Sequence, residues 1–228
     1  MARSGPLGFF GKLFAIIFCL ALALLLGVVG LIFAYRYVPP TSTLMLARYI
    51  QGEPVDRVFV PLNQISPNLR AAVIASEDSL FCRHHGVDWG ALQEVIDSAD
   101  EDGPSRGAST ITMQTAKNLF LWPSRSVVRK AIEIPLALII DFLLPKRRVL
   151  EIYLNIAEWG EGLFGAEAAA RRYFQKGADR LDARQAALMA SALPNPRMRD
   201  PAHPSRQMTR RAATIAARLR DEDLSCVN

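Results

Sequence analysis

The chain has 228 residues, half of them hydrophobic, with a formal charge of +5 and only three cysteines. Less a membrane anchor, that length makes one ordinary domain with a sizeable core, and so few cysteines exclude a disulfide-framed miniprotein. The positive balance implies an anionic partner, whether phospholipid, nucleic acid or phosphorylated substrate, and sign alone does not choose among them.

From Leu13 to Tyr35 there is no charged residue. At ~1.5 Å rise per residue, a helix of that length matches a hydrocarbon core of roughly 30 Å. The stretch exceeds the ~7–15-residue apolar region of a cleaved signal peptide, and it runs into Tyr35-Arg36-Tyr37, which suits an interfacial belt. It therefore reads as an uncleaved transmembrane helix, 13–35, after a short cytoplasmic tail, 1–12, and before a domain at 40–228. Arg3 and Lys12 on one side face Arg36, Arg48 and Arg57 on the other, so the charge rule barely decides orientation. Cys19 lies in the span, which leaves Cys82 and Cys226 as the two that could pair outside it.

Beyond the anchor the only marked strand signal is Arg57-Val58-Phe59-Val60, while apolar residues at helical spacing recur from Leu69 onward. The domain reads as mostly α. Ser66-Pro67 opens a helix through Ile74, and Asp88 caps another through Ile96. A loop from Asp100 to Gly107 interrupts. Ser109 or Thr110 starts a helix ending near Phe120, Ser124 caps one that Pro135 should kink, and Pro145 begins one through Ile156. Glycines at 160, 162 and 165 follow, then helices at about 166–174, 182–193 and 205–219, with a loop from Pro194 to Pro201. Two stretches, 119–123 and 134–144, are apolar enough that part of them could skim a bilayer surface.

Chemistry concentrates in three places. Glu77, Asp78, His84 and His85 fall within nine residues, a density of titratable groups that marks a site. With Cys82 the histidines match no paired zinc spacing. Next, Arg106 to Asn118 sets a glycine turn and hydroxyls at a helix start, with Lys117 one turn beyond Gln114, which reads as an anion cradle of free N–H groups and helix dipole. The GxxxxGK[ST] spacing of a Walker loop is absent. Finally, Arg129 and Glu133 share a helix face with Lys130 beside them, and would add a second carboxylate and more cations to one cleft.

In order along the chain stand Glu77-Asp78-x-x-Phe81-x-x-His84-x-Gly86, then Gly107-Ala108-Ser109-Thr110-Ile-Thr112-x-Gln114-x-x-Lys117-Asn118, then Arg129-Lys130-x-x-Glu133. They are followed by Lys146 to Tyr153-Leu154-Asn155 with Gly160, Gly165 and Ala169-Ala170, and by Gln185-Ala-Ala187 to Leu193-Pro194-Asn195-Pro196. Together these five motifs resemble the peptidoglycan glycosyltransferases of glycosyltransferase family 51 in their single-domain, membrane-anchored form, over roughly Val58 to Pro201. Ala108 replaces the usual second glycine, Met113 stands where a glutamine is common, and Cys82 occupies a variable position.

The resemblance implies a mostly α, lysozyme-like domain with a small membrane-associated jaw, and polymerisation of lipid II into linear glycan with release of undecaprenyl pyrophosphate. It implies Glu77 as general base and Glu133 as the second essential carboxylate. His84, Ser109, Thr110, Gln114, Lys117, Asn118, Arg129 and Lys130 would bind substrate, and Asp78 would help hold a divalent cation, Mg2+ or Mn2+, with no organic cofactor. The partners implied are lipid II, the growing lipid-linked glycan, the membrane, and other cell-wall synthases or division proteins, with no nucleic acid. The chain would be a single-pass protein of the cytoplasmic (inner) membrane, its N-terminus inside and its catalytic domain in the periplasm. No Ser-x-x-Lys occurs in the sequence, so no transpeptidase activity is expected. A lysozyme-like hydrolase would use a similar fold on a neutral glycan, which offers Lys117 and Arg129 no pyrophosphate to meet. A non-enzymatic wall-assembly scaffold is the other alternative.

Overall fold

A computed structural model describes residues 6–97, 108–124 and 126–228. The loop expected from Asp100 to Gly107, with Arg106 of the anion cradle, lies outside the described residues. The chain divides into two compact units, Met1–Val38 and Pro39–Asn228.

The first unit is one helix, α1 (Pro6–Ala34). Its segment Phe10–Ala34 is long and apolar enough to cross a membrane. Phe14, Leu20, Leu24 and Leu26 stand exposed along it, as expected of a helix that meets lipid, whereas a core helix would be enclosed. It is the candidate membrane span among the described residues.

The second unit is mostly α. Among its described residues are α2 (Thr43–Gln51), α3 (Pro67–Glu77), α4 (Trp89–Asp97), α5 (Ile111–Phe120), α6 (Val127–Leu143), α7 (Lys146–Ile156), α8 (Ala166–Phe174), α9 (Ala183–Ala192) and α10 (Arg206–Arg218). A small sheet completes it: β1 (Asp56–Arg57) runs parallel to β3 (Leu163–Phe164), which pairs antiparallel with β2 (Glu158–Gly160). Helix α7 is central, with nearly every residue from Val149 to Ile156 buried, the pattern of a helix enclosed on all sides. Alanines 71, 72 and 75 of α3 and 186, 187 and 190 of α9 are buried, and such small side chains let these helices approach closely.

Most helix starts follow the expected side-chain caps. Ser66, Thr110, Asp182 and Ser205 each accept a backbone N–H from the first turn, and Asp182 with Gln185 closes a capping box. Several expectations need correction. Helix α6 is capped by Ser126, whose hydroxyl accepts the Arg129 N–H, and not by Ser124. Helix α3 extends past Ile74 to Glu77, so Glu77 ends the helix instead of lying in the loop after it. Helix α2 was not anticipated. The strand expected through Val60 stops at Arg57 because the buried Asn155 side chain pairs with both backbone groups of Val60, accepting its N–H and donating to its carbonyl, each at 2.9 Å. An amide side chain thus takes the place of a neighbouring strand.

Cys82 and Cys226 form a disulfide across 144 residues. It fastens the segment after α3 to the C-terminal tail, where the Arg147 guanidinium also holds the Val227 carbonyl at 2.9 Å. Closing so long a loop removes unfolded-state entropy worth about 2–5 kcal/mol. Cys226→Ser should lower the melting temperature by about 5–15 °C. Calorimetry of the two forms under non-reducing conditions checks this, and identical melting would mean that the bond adds nothing.

Candidate active site

Asp78 begins the site. It caps the C-terminus of α3, its carboxylate lies 2.9 and 3.0 Å from His84 Nε2, and its Oδ2 accepts the Ile111 N–H at 2.8 Å. Thr110 meanwhile donates to the Gly86 carbonyl at 2.6 Å and accepts the Met113 N–H at 3.1 Å. The anion favoured by the N-terminus of α5 is therefore supplied by the chain itself. This revises the anion-cradle reading: two of the N–H groups expected to be free for phosphate are occupied by Asp78 and Thr110. His84 and Thr110 each hold a partner within the chain.

Gly86 completes this joint. Its φ is +79°, and a Cβ there would lie 2.7 Å from the Ala137 carbonyl oxygen of α6. Only glycine allows both the backbone turn and the close approach of the loop to α6.

With α5 so fixed, one face of it carries Gln114 and Lys117, a turn apart. Gln114 donates its side-chain amide to Glu77 Oε2 at 3.1 Å, and the Ser76 hydroxyl lies 3.0 Å from Oε1. Tyr153 of α7 donates to the Gln114 carbonyl oxygen at 3.1 Å. Glu77 is half-buried, and among the described residues it has no ion-pair partner within 4 Å; Ser76 and Gln114, which donate to it, are neutral. Ser76 and Tyr153 were not assigned a role from the sequence. The cue for Ser76 was its place beside Glu77, and for Tyr153 its place in the fourth motif.

Glu133 is in the opposite situation. It is 1% exposed and lies between Arg129, four residues back, and Lys130, whose Nζ is at 2.9 Å. The Lys130 ammonium also donates to Ser109 Oγ at 2.8 Å, and Arg129 Nε donates to the Ser124 carbonyl at 2.6 Å. Ser109 thus links the start of α5 to α6. Met113 is fully buried with its sulfur 4.0 Å from Lys130, so at this position the side chain packs inside.

Lys117 lies between the two carboxylates. Burial pulls its ammonium below the ordinary lysine value of 10.5, Arg129 and Lys130 act in the same direction, and Glu133 and Glu77 oppose them. It has no ion pair within 4 Å among the described residues. A cavity of about 380 Å³ is lined by Gln114, Lys117, Asn118, Arg129, Tyr153 and Trp122, among others. A second cavity, of about 220 Å³, is lined by Glu77, Asp78 and Ser109, among others.

The geometry therefore brings together Glu77, Gln114, Lys117, Asn118, Arg129, Lys130, Glu133 and Ser109. No group of three or more histidine, cysteine or acidic side chains among the described residues could hold a metal ion, and both Asp78 oxygens already have partners. What the cleft offers is a proton acceptor set among neutral donors at one side and a bank of cations at the other.

The sequence model of the transglycosylase family matches residues 44–220. A biosynthetic peptidoglycan transglycosylase of Rhodospirillum centenum is 54% identical over 212 residues, covering 90% of this chain and 91% of the relative. Proteins of the same description are similar in Brucella suis biovar 1, at 54% over 188 residues (82% and 84% of the two chains), and in Rhodopseudomonas palustris, at 52% over 210 residues (92% and 89%).

Proposed function

From the premise that the chain belongs to the transglycosylase family, we propose that it polymerises lipid II into linear glycan by inverting glycosyl transfer, releasing undecaprenyl pyrophosphate and forming no peptide cross-links. The observation that carries this is the polarity of the site: Glu77 among neutral donors, Lys117 and Arg129 lining the neighbouring cavity, and Lys130 paired with Glu133. A sugar hydroxyl is a poor nucleophile while protonated, and a positioned base is worth roughly 10²–10⁴-fold. Glu77 accepts the proton of the acceptor 4-hydroxyl as its oxygen bonds to the anomeric carbon of the donor. The bond from that carbon to the phosphate oxygen breaks on the opposite face, and the electron pair leaves with the pyrophosphate. The departing group gathers negative charge, so it calls for cations and N–H donors in place of a general acid. Lys117 and Arg129 meet it, while Glu133 holds Arg129 and Lys130 in place. No step is assigned to a divalent cation, since the described residues hold no group of three or more histidine, cysteine or acidic side chains.

The substrate's lipid tail requires a membrane, which α1 supplies. A second apolar surface supports the same setting: Val127, Val128, Leu138 and Phe142 of α6 are exposed, Phe142 to 89%, with Trp122 nearby in sequence. A soluble domain seldom leaves such residues in water, and they suit an interfacial jaw. The disulfide supports the orientation that the arginine count left open, since such bonds persist in oxidising compartments and not in the cytosol. The domain then lies on the periplasmic side of the inner membrane, with the N-terminus in the cytoplasm. Protease added outside spheroplasts should digest the domain, and protection of it until lysis would reverse this topology.

Glu77→Gln keeps the hydrogen-bonding shape of the side chain but removes the base. Incubated with lipid II, the variant should lose about 10²–10⁴-fold in kcat while its melting temperature holds; polymer made at the wild-type rate would refute the role of Glu77. A second outcome concerns pH. The charged form of Lys117 is the working one and its pKa is lowered, so rising pH removes the ammonium earlier than for an ordinary lysine. The alkaline limb of kcat/KM should therefore lie below 10.5, and Lys117→Arg should move it upward. An unmoved limb would assign the titration to another group.

A further inference from the structure

We infer that Tyr153 is a positioning residue for this reaction, its hydroxyl locking the Gln114 amide in the one orientation that offers Glu77 a donor. The inference rests on the reading of Glu77 as the base. A glutamine amide has two faces of nearly equal shape, one carrying an acceptor and one carrying donors. A carboxylate can only accept, so Glu77 requires the donor face, at 3.1 Å. That leaves the Gln114 oxygen turned towards Tyr153, whose hydroxyl must donate to it at 3.1 Å.

Tyr153 is suited to this fixed task. It is 2% exposed, and burial, followed by the nearby Glu77 and Asp78, holds its phenol well above the ordinary tyrosine value, so the proton stays available for donation. Its backbone belongs to α7, the helix enclosed on all sides, and Asn155 two residues on clamps that helix to Val60. A rigid line therefore runs from α7 through α5 to the last residue of α3. Without the hydroxyl, Gln114 can turn its oxygen towards Glu77 or swing into the cleft. The carboxylate would then be held by Ser76 alone, and the fraction of complexes with a correctly aimed base would fall. Such a loss acts after substrate has bound, so it belongs in kcat and not in KM.

The test is a double-substitution cycle on the full chain in detergent micelles, with lipid II as substrate. Tyr153→Phe keeps the ring and should lower kcat by about tenfold with KM changed by less than about twofold. In a Gln114→Met background the same replacement should change kcat by less than about twofold, because the link it serves is already gone. Independent, multiplicative losses, or wild-type kcat in Tyr153→Phe, would overturn the proposal. A second readout needs no tyrosine variant. With ¹⁵N-glutamine labelling and assignment by its loss in Gln114→Met, the Gln114 side-chain amide of the unsubstituted protein should give one exchange-protected pair. An averaged, unprotected signal would also overturn it. Glu77→Gln is carried alongside: if that variant still turns over, the reading of Glu77 fails by itself, whatever the cycle shows.

Discussion

Asp78 joins two elements that would otherwise be free to part. Its backbone ends α3, one of its oxygens receives the first amide of α5, and both lie within reach of the His84 imidazole. A helix start leaves several N–H groups without partners, and a carboxylate placed there satisfies one of them and meets the positive end of the dipole. The consequence is geometric. Glu77 precedes Asp78 and Gln114 follows three residues after Ile111, so fixing Asp78 on α5 also fixes Glu77 opposite the Gln114 amide. Removing the Asp78 carboxylate would release both at once.

Two buried or half-buried glutamates share this cleft but sit in different surroundings. Glu133 is compensated by two cations and enclosed, and a buried carboxylate so paired is committed to structure and to holding those cations. Glu77 has amide and hydroxyl partners only, which hold its direction without neutralising it. Environments that differ in this way divide two chemically identical side chains between roles. Lys117 stands between them, drawn by both and repelled by Arg129 and Lys130.

Much of this was legible because it depends on local rules. Serine, threonine or aspartate before an apolar run marked the starts of α3, α4 and α5, and the glutamate and cation clusters pointed to one cleft before any fold was known. Two misreadings were cases where a distant residue supplied a partner. Asn155 took the backbone of Val60 across 95 residues, and Asp78 took the start of α5 across 33. Periodicity and spacing carry no information on such encounters, nor on whether Cys82 and Cys226, the two cysteines left able to pair, would meet across 144 residues. Ser124 as the cap of α6 failed for a smaller reason: Ser126 meets the same local rule, and register selects.

The charge of the cleft also bears on why its cations are not fully paired. Among the described residues Lys117, Arg129 and Lys130 share one ion-paired carboxylate, Glu133, with Glu77 also acting on Lys117, which leaves a net positive charge in the cleft. A pyrophosphate diester carries about two negative charges and gains nearly one more as it departs, so attraction to the excess grows along the reaction coordinate. Were Lys117 neutralised by a carboxylate of its own, the enzyme would be more stable and the leaving group would have to displace a partner to reach it. In the proposed reaction this incomplete pairing would let these cations favour the transition state over the bound substrate.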